Sequence, residues 1–478
     1  MASLDPESDE IKANIAADKL IAQCYFKEEE LGKWPKITHP VFKEWQDLMS
    51  RLTYSRIPFH FASLLPVLSM SLNRRVNTKI GKTKLYANVN VMAAGISTIS
   101  GKSFAASNCL DEFKPIIIEA NYQNELNSTR KITMMDQTNS AARFVQNLVT
   151  TNNILWYYDE AKTFFDEAES WNKPIIPELN HAYECKTVSR GLSKKPHQDG
   201  KPDFPDKCET PFVSLLFNMT MMQLKDVCTG GLYSSGFTPR WLWFIETGGE
   251  LRKNVTITVD EENRINALKL FVYNTSKILY NLPYDSITFG INDKIEDWKI
   301  TTSLKYGDSE FHQTAVGRTF INMYKIAMIL SVFDKNFQEK IFGKQNYPIL
   351  VELPDKWVTE AMRICDQYLF PRTVHVLNMS KTEEVTKKQV NRQVLVLDKL
   401  KELHGVATKS QLLRATALSA RDLDESLQTL TLSGQVTFAT KRNMGPGGKL
   451  SSGPKVTYYC LVNGDKVGQY GAAVDGVQ

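Results

Sequence analysis

The sequence predicts an α/β protein with a mostly parallel sheet, helical regions on either side of it in the chain, and a small C-terminal domain. Three observations lead to this prediction. Short apolar strands alternate with amphipathic helices between residues 84 and 245. The first strand runs into a glycine-containing loop and then a helix, as phosphate-binding loops do. Residues 385–463 carry three helical and two strand-like segments. Alternating strands and helices favour a parallel sheet covered on both faces.

Length and composition are those of an ordinary globular protein with several domains. The chain has 478 residues, of which 42% are hydrophobic and 23% charged, and its net charge is +5. This length suggests roughly two to four domains. The charge is too small to indicate a nucleic-acid partner and does not exclude one. The seven cysteines are scattered and form no C-x-x-C pair, so we expect reduced thiols and no zinc knuckle.

No targeting or membrane signal is visible in the sequence. Residues 1–10 are acidic and polar, which is unlike a signal peptide. No run of about 18 apolar residues occurs that would span a membrane. We therefore expect a cytoplasmic protein without a membrane partner.

The helical N-terminal region is predicted to cover residues 1–75. Apolar side chains recur at helical spacing between residues 41 and 52. The core domain follows at 76–285. Its predicted strands are residues 84–94, 153–158, 211–217 and 240–245. Its predicted helices begin at Lys102, running to about Leu110, and at residue 138, running to 150.

A helical subdomain is predicted at 286–380, with an apolar and buried helix at 318–333. Residues 380–388 are polar and charged, and we expect a linker there. Residues 385–463 then predict a winged helix. Its helices are expected at 390–403, 409–416 and 419–432, and its strands at 436–440 and 456–461. Residues 464–478 are glycine-rich and predict a flexible tail.

Residues 96–103 end in Gly101-Lys102-Ser103, the end of a P-loop that holds phosphates. Lys102 is expected to reach the β- and γ-phosphates of ATP, and Ser103 to ligate Mg²⁺. The other loop residues expected to line the phosphates are Ser97, Ser100 and Gly101. The full pattern requires glycine where this chain has Ile96, and Gly95 stands one residue early. A surface turn before a helix is the alternative interpretation.

An acidic pair, Asp159-Glu160, follows the second predicted strand. At a strand end opposite a P-loop, Asp159 is expected to hold Mg²⁺ and Glu160 to activate water as general base. The alternative is that both acids stabilise the start of the next helix. Their order after the P-loop, and the strand before them, favour a nucleotide site.

Two further elements fit such a site. Asn218 and Thr220 end the third strand, where polar groups could sense a γ-phosphate, although ordinary capping explains them equally well. Arg240 follows a glycine-containing segment and precedes a strand. An arginine at a subunit edge can act as a finger on a neighbour's nucleotide. A surface arginine is the alternative.

Together these stretches resemble a domain-of-unknown-function family of P-loop proteins, the helicase-like ATPases of phages, plasmids and mobile elements. The resemblance covers roughly residues 40–335, and its matching stretches are residues 57–69, 97–103, 158–160, the segment beginning at 190, 211–216 and 235–242. It implies a RecA-like core that joins primase or replication modules. It implies nucleotide chemistry at Lys102, Ser103, Asp159, Glu160 and Arg240. Thr220 stands where the family often has glutamine, and Ile96 where it has glycine.

Nucleic acid is the second expected partner. A ring of such cores would present basic loops to a central strand, and the candidates are Arg190, Lys194, Lys195 and Lys201. A solvated loop is the alternative. The predicted wing adds the basic residues Lys441, Arg442, Lys449 and Lys455. The third helix of that domain is acidic, which favours backbone contact by the wing, or protein docking, over groove reading.

The sequence thus predicts an ATP-dependent DNA helicase or replication-initiation motor, active as a homo-oligomer in a hexameric ring, with a primase or polymerase as partner. Two alternatives stay open. One is a DNA-binding replication protein whose degenerate P-loop no longer hydrolyses ATP. The other is a regulatory or loader ATPase that docks a protein through its winged helix.

Overall fold

The structure is a computed structural model that describes most of the chain. The described residues are 6–26, 30–122, 132–136, 140–189, 207–228, 236–249, 255–307, 309–343, 346–441 and 456–462. The chain divides into two compact units, residues 1–380 and 381–478. The predicted divisions at residues 75 and 285 both fall inside the first unit.

The first unit begins with three helices and contains most of the remaining ones. Its helices are α1 (Pro6–Tyr25), α2 (Pro40–Leu52), α3 (Ile57–Leu72), α4 (Lys102–Tyr122), α5 (Ala141–Thr151), α6 (Ala161–Glu169), α7 (Ile175–Tyr183), α8 (Met221–Val227), α9 (Val259–Tyr280), α10 (Asp293–Tyr306), α11 (Glu310–Val332), α12 (Lys335–Ile341), α13 (Asp355–Ile364) and α14 (Phe370–Glu402), which runs into the second unit. Its strands are β1 (Val76–Ile80), β2 (Thr83–Tyr86), β3 (Asn90–Gly95), β4 (Ile132–Asp136), β5 (Asn153–Tyr158), β6 (Val188–Ser189), β7 (Lys207–Cys208), β8 (Phe212–Thr220), β9 (Trp241–Glu246), β10 (Ile287–Phe289) and β11 (Ile349–Val351).

The central sheet of this unit has the strand order β4-β5-β8-β3-β9, and every neighbouring pair is parallel. All residues of β3 and β9 are buried. Their apolar side chains fit this position, because a parallel sheet is covered on both faces. The α/β class and the parallel sheet are therefore confirmed. The carboxyl ends of β3, β8 and β5 meet at one edge, and Gly95 pairs in register with Thr220.

The predicted strand at 84–94 is wrong as one element. β2 pairs with β1 in a second sheet of order β11-β10-β1-β2, whereas β3 joins the central sheet. Between them, the buried Asn88 side chain donates to the carbonyl oxygens of Tyr183 and Val213, at 2.9 and 3.2 Å. The chain therefore changes sheets at Asn88. β4, at the sheet edge, was missed, and α4 continues well beyond Leu110 with Pro115 inside it.

The predicted linker at 380–388 begins where the two units divide, but it does not interrupt the helix, because α14 continues through it as one helix of 33 residues. The segment is polar, but it contains neither glycine nor proline, and its lysine and glutamate residues are good helix formers. Polar composition alone therefore did not mark a break in the helix.

The second unit contains the end of α14, two further helices and an antiparallel sheet. The remaining elements are β12 (Val406–Thr408), α15 (Lys409–Thr416), α16 (Ala420–Leu432), β13 (Val436–Lys441) and β14 (Val456–Leu461). The predicted hairpin is confirmed as β13 and β14, and β12 adds a strand on the other side of β14. Val396, Leu412, Leu423, Leu427 and Val436 form its apolar core.

Within the described part of the chain, no single helix has the length and apolar character to cross a membrane, although the bent pair His312–Val332 and Lys335–Ile341 passes that test together.

Candidate nucleotide-binding site

The loop between β3 and α4 folds back tightly on itself. Thr98 and Gly101 both have positive φ angles, +65° and +69°. The Ile99 N–H donates to the Ser97 carbonyl at 2.7 Å, and the Ser100 N–H donates to the Ile96 carbonyl at 3.2 Å. The loop ends at Lys102, which is the first residue of α4. Helix N-termini bind anions through free backbone N–H groups and the helix dipole.

Ile96 is accommodated because its side chain is buried among apolar residues, at 1% exposure. The neighbouring Gly95 lies where a side chain would be crowded. A Cβ at Gly95 would lie 2.6 Å from the Ser100 Oγ and 3.1 Å from the Phe59 ring. A side chain at position 95 would therefore force the Ser100 side chain to move.

Residues far away in the sequence hold the loop from outside. The Ser55 hydroxyl donates to the Gly101 carbonyl at 2.7 Å, and the Arg56 N–H donates to the Ser100 carbonyl at 3.2 Å. A Cβ at Gly101 would lie 2.6 Å from the Ser55 Cα, and one at Gly249 would lie 2.2 Å from the Ile99 carbonyl oxygen. The loop is thus braced by two neighbouring segments, which no motif in the sequence indicated.

Lys102 is buried, with 8% exposure, and makes no hydrogen bond or ion pair with the described residues. Burial lowers the pKa of Lys102, and the charges of Asp18 and Asp159 only partly offset this effect. A buried cation without a paired anion is unfavourable unless a ligand supplies the negative charge. The Ser100 hydroxyl beside it in the loop is also buried and has no hydrogen-bond partner among the described residues.

Asp18 on α1 is a buried carboxylate in contact with this loop. It accepts hydrogen bonds from the backbone N–H groups of Ser97, at 2.6 Å, and of Met222, at 2.8 Å. Its side chain joins α1 to both the phosphate loop and the start of α8. No motif in the sequence indicates this contact, because it depends on how α1 packs.

Ser103 and Asp159 come together across the edge of the sheet. The carboxylate of Asp159 accepts hydrogen bonds from the Asn218 Nδ2 at 3.0 Å and from the Tyr157 hydroxyl at 2.9 Å, and the nearby hydroxyl of Ser103 also helps to lower the pKa of Asp159. Partial exclusion of water alone would raise the pKa of Asp159, but these hydrogen bonds and the charge of Lys102 outweigh it and lower that pKa. Asp159 is therefore held as a carboxylate next to Ser103.

Glu160 is exposed and begins α6. Its Oε1 accepts a hydrogen bond from the Gln223 Nε2 at 2.9 Å. Gln223 also forms a capping box with Thr220, whose hydroxyl accepts from the Gln223 N–H at 3.2 Å. Thr220 thus caps α8, and its predicted part in sensing a phosphate stays a prediction. The pattern Thr220-x-x-Gln223 is a capping signature that could have identified Gln223 from sequence.

Strand β8 lies between β3 and β5, so Asn218 stands between the phosphate loop and the acidic pair. Its side chain is fully buried, and its Oδ1 has no hydrogen-bond partner among the described residues. The structure thus brings Asp159 and Asn218 into direct contact, and it places Ser103 and Lys102 close enough to Asp159 to influence its pKa.

Arg240 lies at the opposite end of the sheet, because it immediately precedes β9. Its side chain is 11% exposed, contacts the Glu184 carboxylate at 2.6 Å, and donates to the Gly236 carbonyl. Burial by itself would raise the pKa of Glu184, but hydrogen bonds from Lys186 and Arg240 hold it at about 2. Arg240 therefore cannot reach the phosphate loop of its own chain.

The predicted nucleic-acid residues are almost all outside the described part of the chain. These residues are Arg190, Lys194, Lys195, Lys201, Arg442, Lys449 and Lys455. Lys441 ends β13, and its side chain is not described. On α16, Asp422 pairs with Arg392 at 2.9 Å and Asp424 with Lys409 at 2.6 Å. The acidity of this helix is thus balanced by basic residues within the second unit.

The donors at the sheet edge suit a hard cation such as Mg²⁺. Mg²⁺ is bound through oxygen, usually by one or two carboxylates together with phosphate oxygens and water. The Ser103 hydroxyl and the Asp159 carboxylate meet this requirement. The described residues contain no group of three or more His, Cys, Asp or Glu side chains that could hold a metal ion. The residues therefore fit a magnesium ion that arrives with phosphates.

No family model matches this chain, and no curated protein matches it.

Proposed function

We propose that this protein binds ATP with Mg²⁺ at the carboxyl edge of the central sheet and hydrolyses it. The observation that carries the proposal is the buried Lys102, which has no protein anion paired to it and lies near the carboxylate of Asp159. Phosphate oxygens would supply the missing negative charge. Ligands of α/β sheets generally bind outside the carboxyl ends of the strands, which is where these side chains are.

The roles follow from the contacts of each residue. Lys102 would hold the β- and γ-phosphates, and Ser103 with Asp159 would hold Mg²⁺, which neutralises charge on the phosphates. Glu160, positioned by Gln223, would take the proton of an attacking water. The buried Asn218 keeps Asp159 oriented.

The wider architecture supports a RecA-like P-loop core. All five strands of the central sheet are parallel, and one strand separates the strand of the phosphate loop from the strand of the acidic pair. The three helices and antiparallel sheet of the second unit support a winged helix. Membership of the helicase-like family of mobile elements remains part of this proposal.

An oligomer would give Arg240 a function. Because it lies at the end of the sheet away from Lys102, it could reach only the nucleotide of a neighbouring subunit. In a hexameric ring it would serve as a finger in trans after leaving Glu184. We extend the proposal to a cytoplasmic motor on DNA, a helicase or replication initiator that works with a primase or polymerase.

The test measures the ATPase activity of the full chain with and without single-stranded DNA. It also measures the mass of the protein in solution, which reports its oligomeric state. We expect a nucleotide-dependent oligomer whose ATPase activity is stimulated by DNA and lost in Lys102→Ala and Glu160→Gln. Lys82→Ala and Glu169→Gln, which change exposed residues elsewhere, serve as controls and should keep full activity. Full activity in both site variants would refute the proposal.

A second function is favoured by the engagement of Thr220 in a helix cap and by Ile96 in place of glycine. In that case the protein binds nucleotide and DNA without hydrolysis. Calorimetric ATP binding that depends on Lys102, with no phosphate released under any DNA condition, would select it.

A further inference from the structure

We propose that Tyr54 and Phe104 form a base-binding platform, so that the ligand of this site is a nucleoside triphosphate held at its base as well as at its phosphates. This inference rests on the proposed function and adds the part of the ligand that Lys102, Ser103 and Asp159 do not contact.

Phe104 follows Ser103 directly, in the first turn of α4. Although it is a large apolar residue, it is 43% exposed. Its ring stacks on that of Tyr54, with centroids 5.7 Å apart and ring planes inclined by 23°. Aromatic rings at a ligand site offer flat faces on which any nucleic-acid base can stack.

The position of Tyr54 is fixed by its neighbours in the chain. Ser55 donates to the Gly101 carbonyl, and the Arg56 N–H donates to the Ser100 carbonyl. The Thr53 N–H and hydroxyl donate to the Met49 carbonyl, at 2.9 and 2.8 Å. The platform is therefore attached to the phosphate loop itself, and little order remains to be gained on binding.

The direction of a bound triphosphate agrees with this placement. With its β- and γ-phosphates at Lys102 and Ser103, its α-phosphate and sugar must lead out of the loop, over the first turn of α4. Phe104 is the exposed aromatic residue on that turn. Because a purine has a larger flat face than a pyrimidine, we expect ATP and GTP to bind more tightly than CTP and UTP.

The test compares calorimetric binding of MgATP and of magnesium tripolyphosphate to the full chain. Phe104→Leu keeps an apolar side chain and removes the flat ring, whereas Phe104→Tyr keeps the ring. We expect Phe104→Leu to weaken ATP binding roughly tenfold or more and to leave tripolyphosphate binding unchanged. Phe104→Tyr should bind both like the natural protein. Trp171→Leu, a change at an exposed aromatic residue beyond the far end of α6, is the control.

A second measurement needs no variant. The triphosphate of 2-aminopurine riboside loses fluorescence when its base stacks, so its emission should fall on binding to the natural protein. Unchanged emission on binding, or equal losses for ATP and tripolyphosphate in Phe104→Leu, would overturn the platform while leaving the phosphate site intact. If neither ligand binds the natural protein, the proposed function fails and the platform with it.

Discussion

Two buried lysines at opposite ends of the central sheet show how differently the protein treats the same side chain. Lys102 lies at the carboxyl end, at the start of α4, and Lys325 lies at the amino end, next to the residues that precede β3. Burial lowers the pKa of both, and that of Lys325 falls to about 7. At both ends, removing the ammonium group from water is therefore energetically unfavourable.

The difference lies in what the protein offers each ammonium group. The Lys325 Nζ donates to the Asn88 carbonyl at 2.6 Å and to the Asn88 Oδ1 at 3.2 Å, and it stands 3.7 Å from the centre of the Tyr183 ring. Lys102 has no such partner among the described residues. A buried lysine whose hydrogen bonds are made by its own chain indicates a structural role. A buried lysine without such partners, next to Ser103 and Asp159, indicates a ligand-binding role.

The largest expected effect is on ATPase activity, when Asp159 at the carboxyl end of the sheet is replaced. Asp159→Asn keeps the size of the side chain but removes the negative charge that would hold Mg²⁺ and face Lys102. ATPase activity should fall roughly 100-fold, as it does when metal-site residues are altered. The measurement is phosphate release over a magnesium titration. Activity equal to that of the natural protein at every magnesium concentration would place the metal elsewhere.

At the amino end the expected effect is on stability and not on nucleotide binding. Glu184→Ala leaves the mostly buried Arg240 without its carboxylate partner. The free energy of unfolding should fall by about 1–3 kcal/mol, since a poorly hydrated charge loses its partner. Urea unfolding measures this change, and calorimetry should find ATP affinity unaltered. Reduced affinity with unchanged stability would reverse the assignment of the two ends.

The smallest expected effect is a pH dependence that belongs to Lys325. Its pKa is about 7 when folded, whereas it is about 10.5 in an unfolded chain, so the unfolded chain binds more protons between these values. Stability should therefore rise with pH in this window, by about 1 kcal/mol from pH 7 to 8.

Lys325→Met should lack this rise, and urea unfolding at the two pH values compares the variants. Lys82→Met, at an exposed position, is the control and should behave like the natural protein. An identical pH dependence in Lys325→Met would mean that another group is responsible.

Much of the fold could be predicted because local pattern determines it. The strand at 153–158 matches β5 in full, since an apolar run bounded by polar residues specifies a buried strand. The strand at 84–94 was wrong because pairing partners far apart in the chain divide it between two sheets. The boundary at 380–388 was placed correctly, but its secondary structure was not expected, because polar residues can equally form a helix.

In the candidate site, too, some residues could be predicted from the sequence and others could not. Ser103 and Asp159 were both expected to hold Mg²⁺, and the structure places them near each other where the carboxyl ends of the parallel strands meet. Asp18, Ser55 and Gly249 contact the phosphate loop only through tertiary packing, which carries no local signal. The sequence thus predicted the groups that would face a ligand and missed those that support them.

The most direct test of the assignment of Lys102 is a paired measurement on Lys102→Met. Removing an unpaired buried charge should leave the melting temperature unchanged or higher, because methionine fills the space without the cost of burying charge. Calorimetry on the same sample should find that binding of MgATP is lost. A clear fall in melting temperature with ATP affinity unchanged would contradict the account, since Lys102 would then be structural, as Lys325 is.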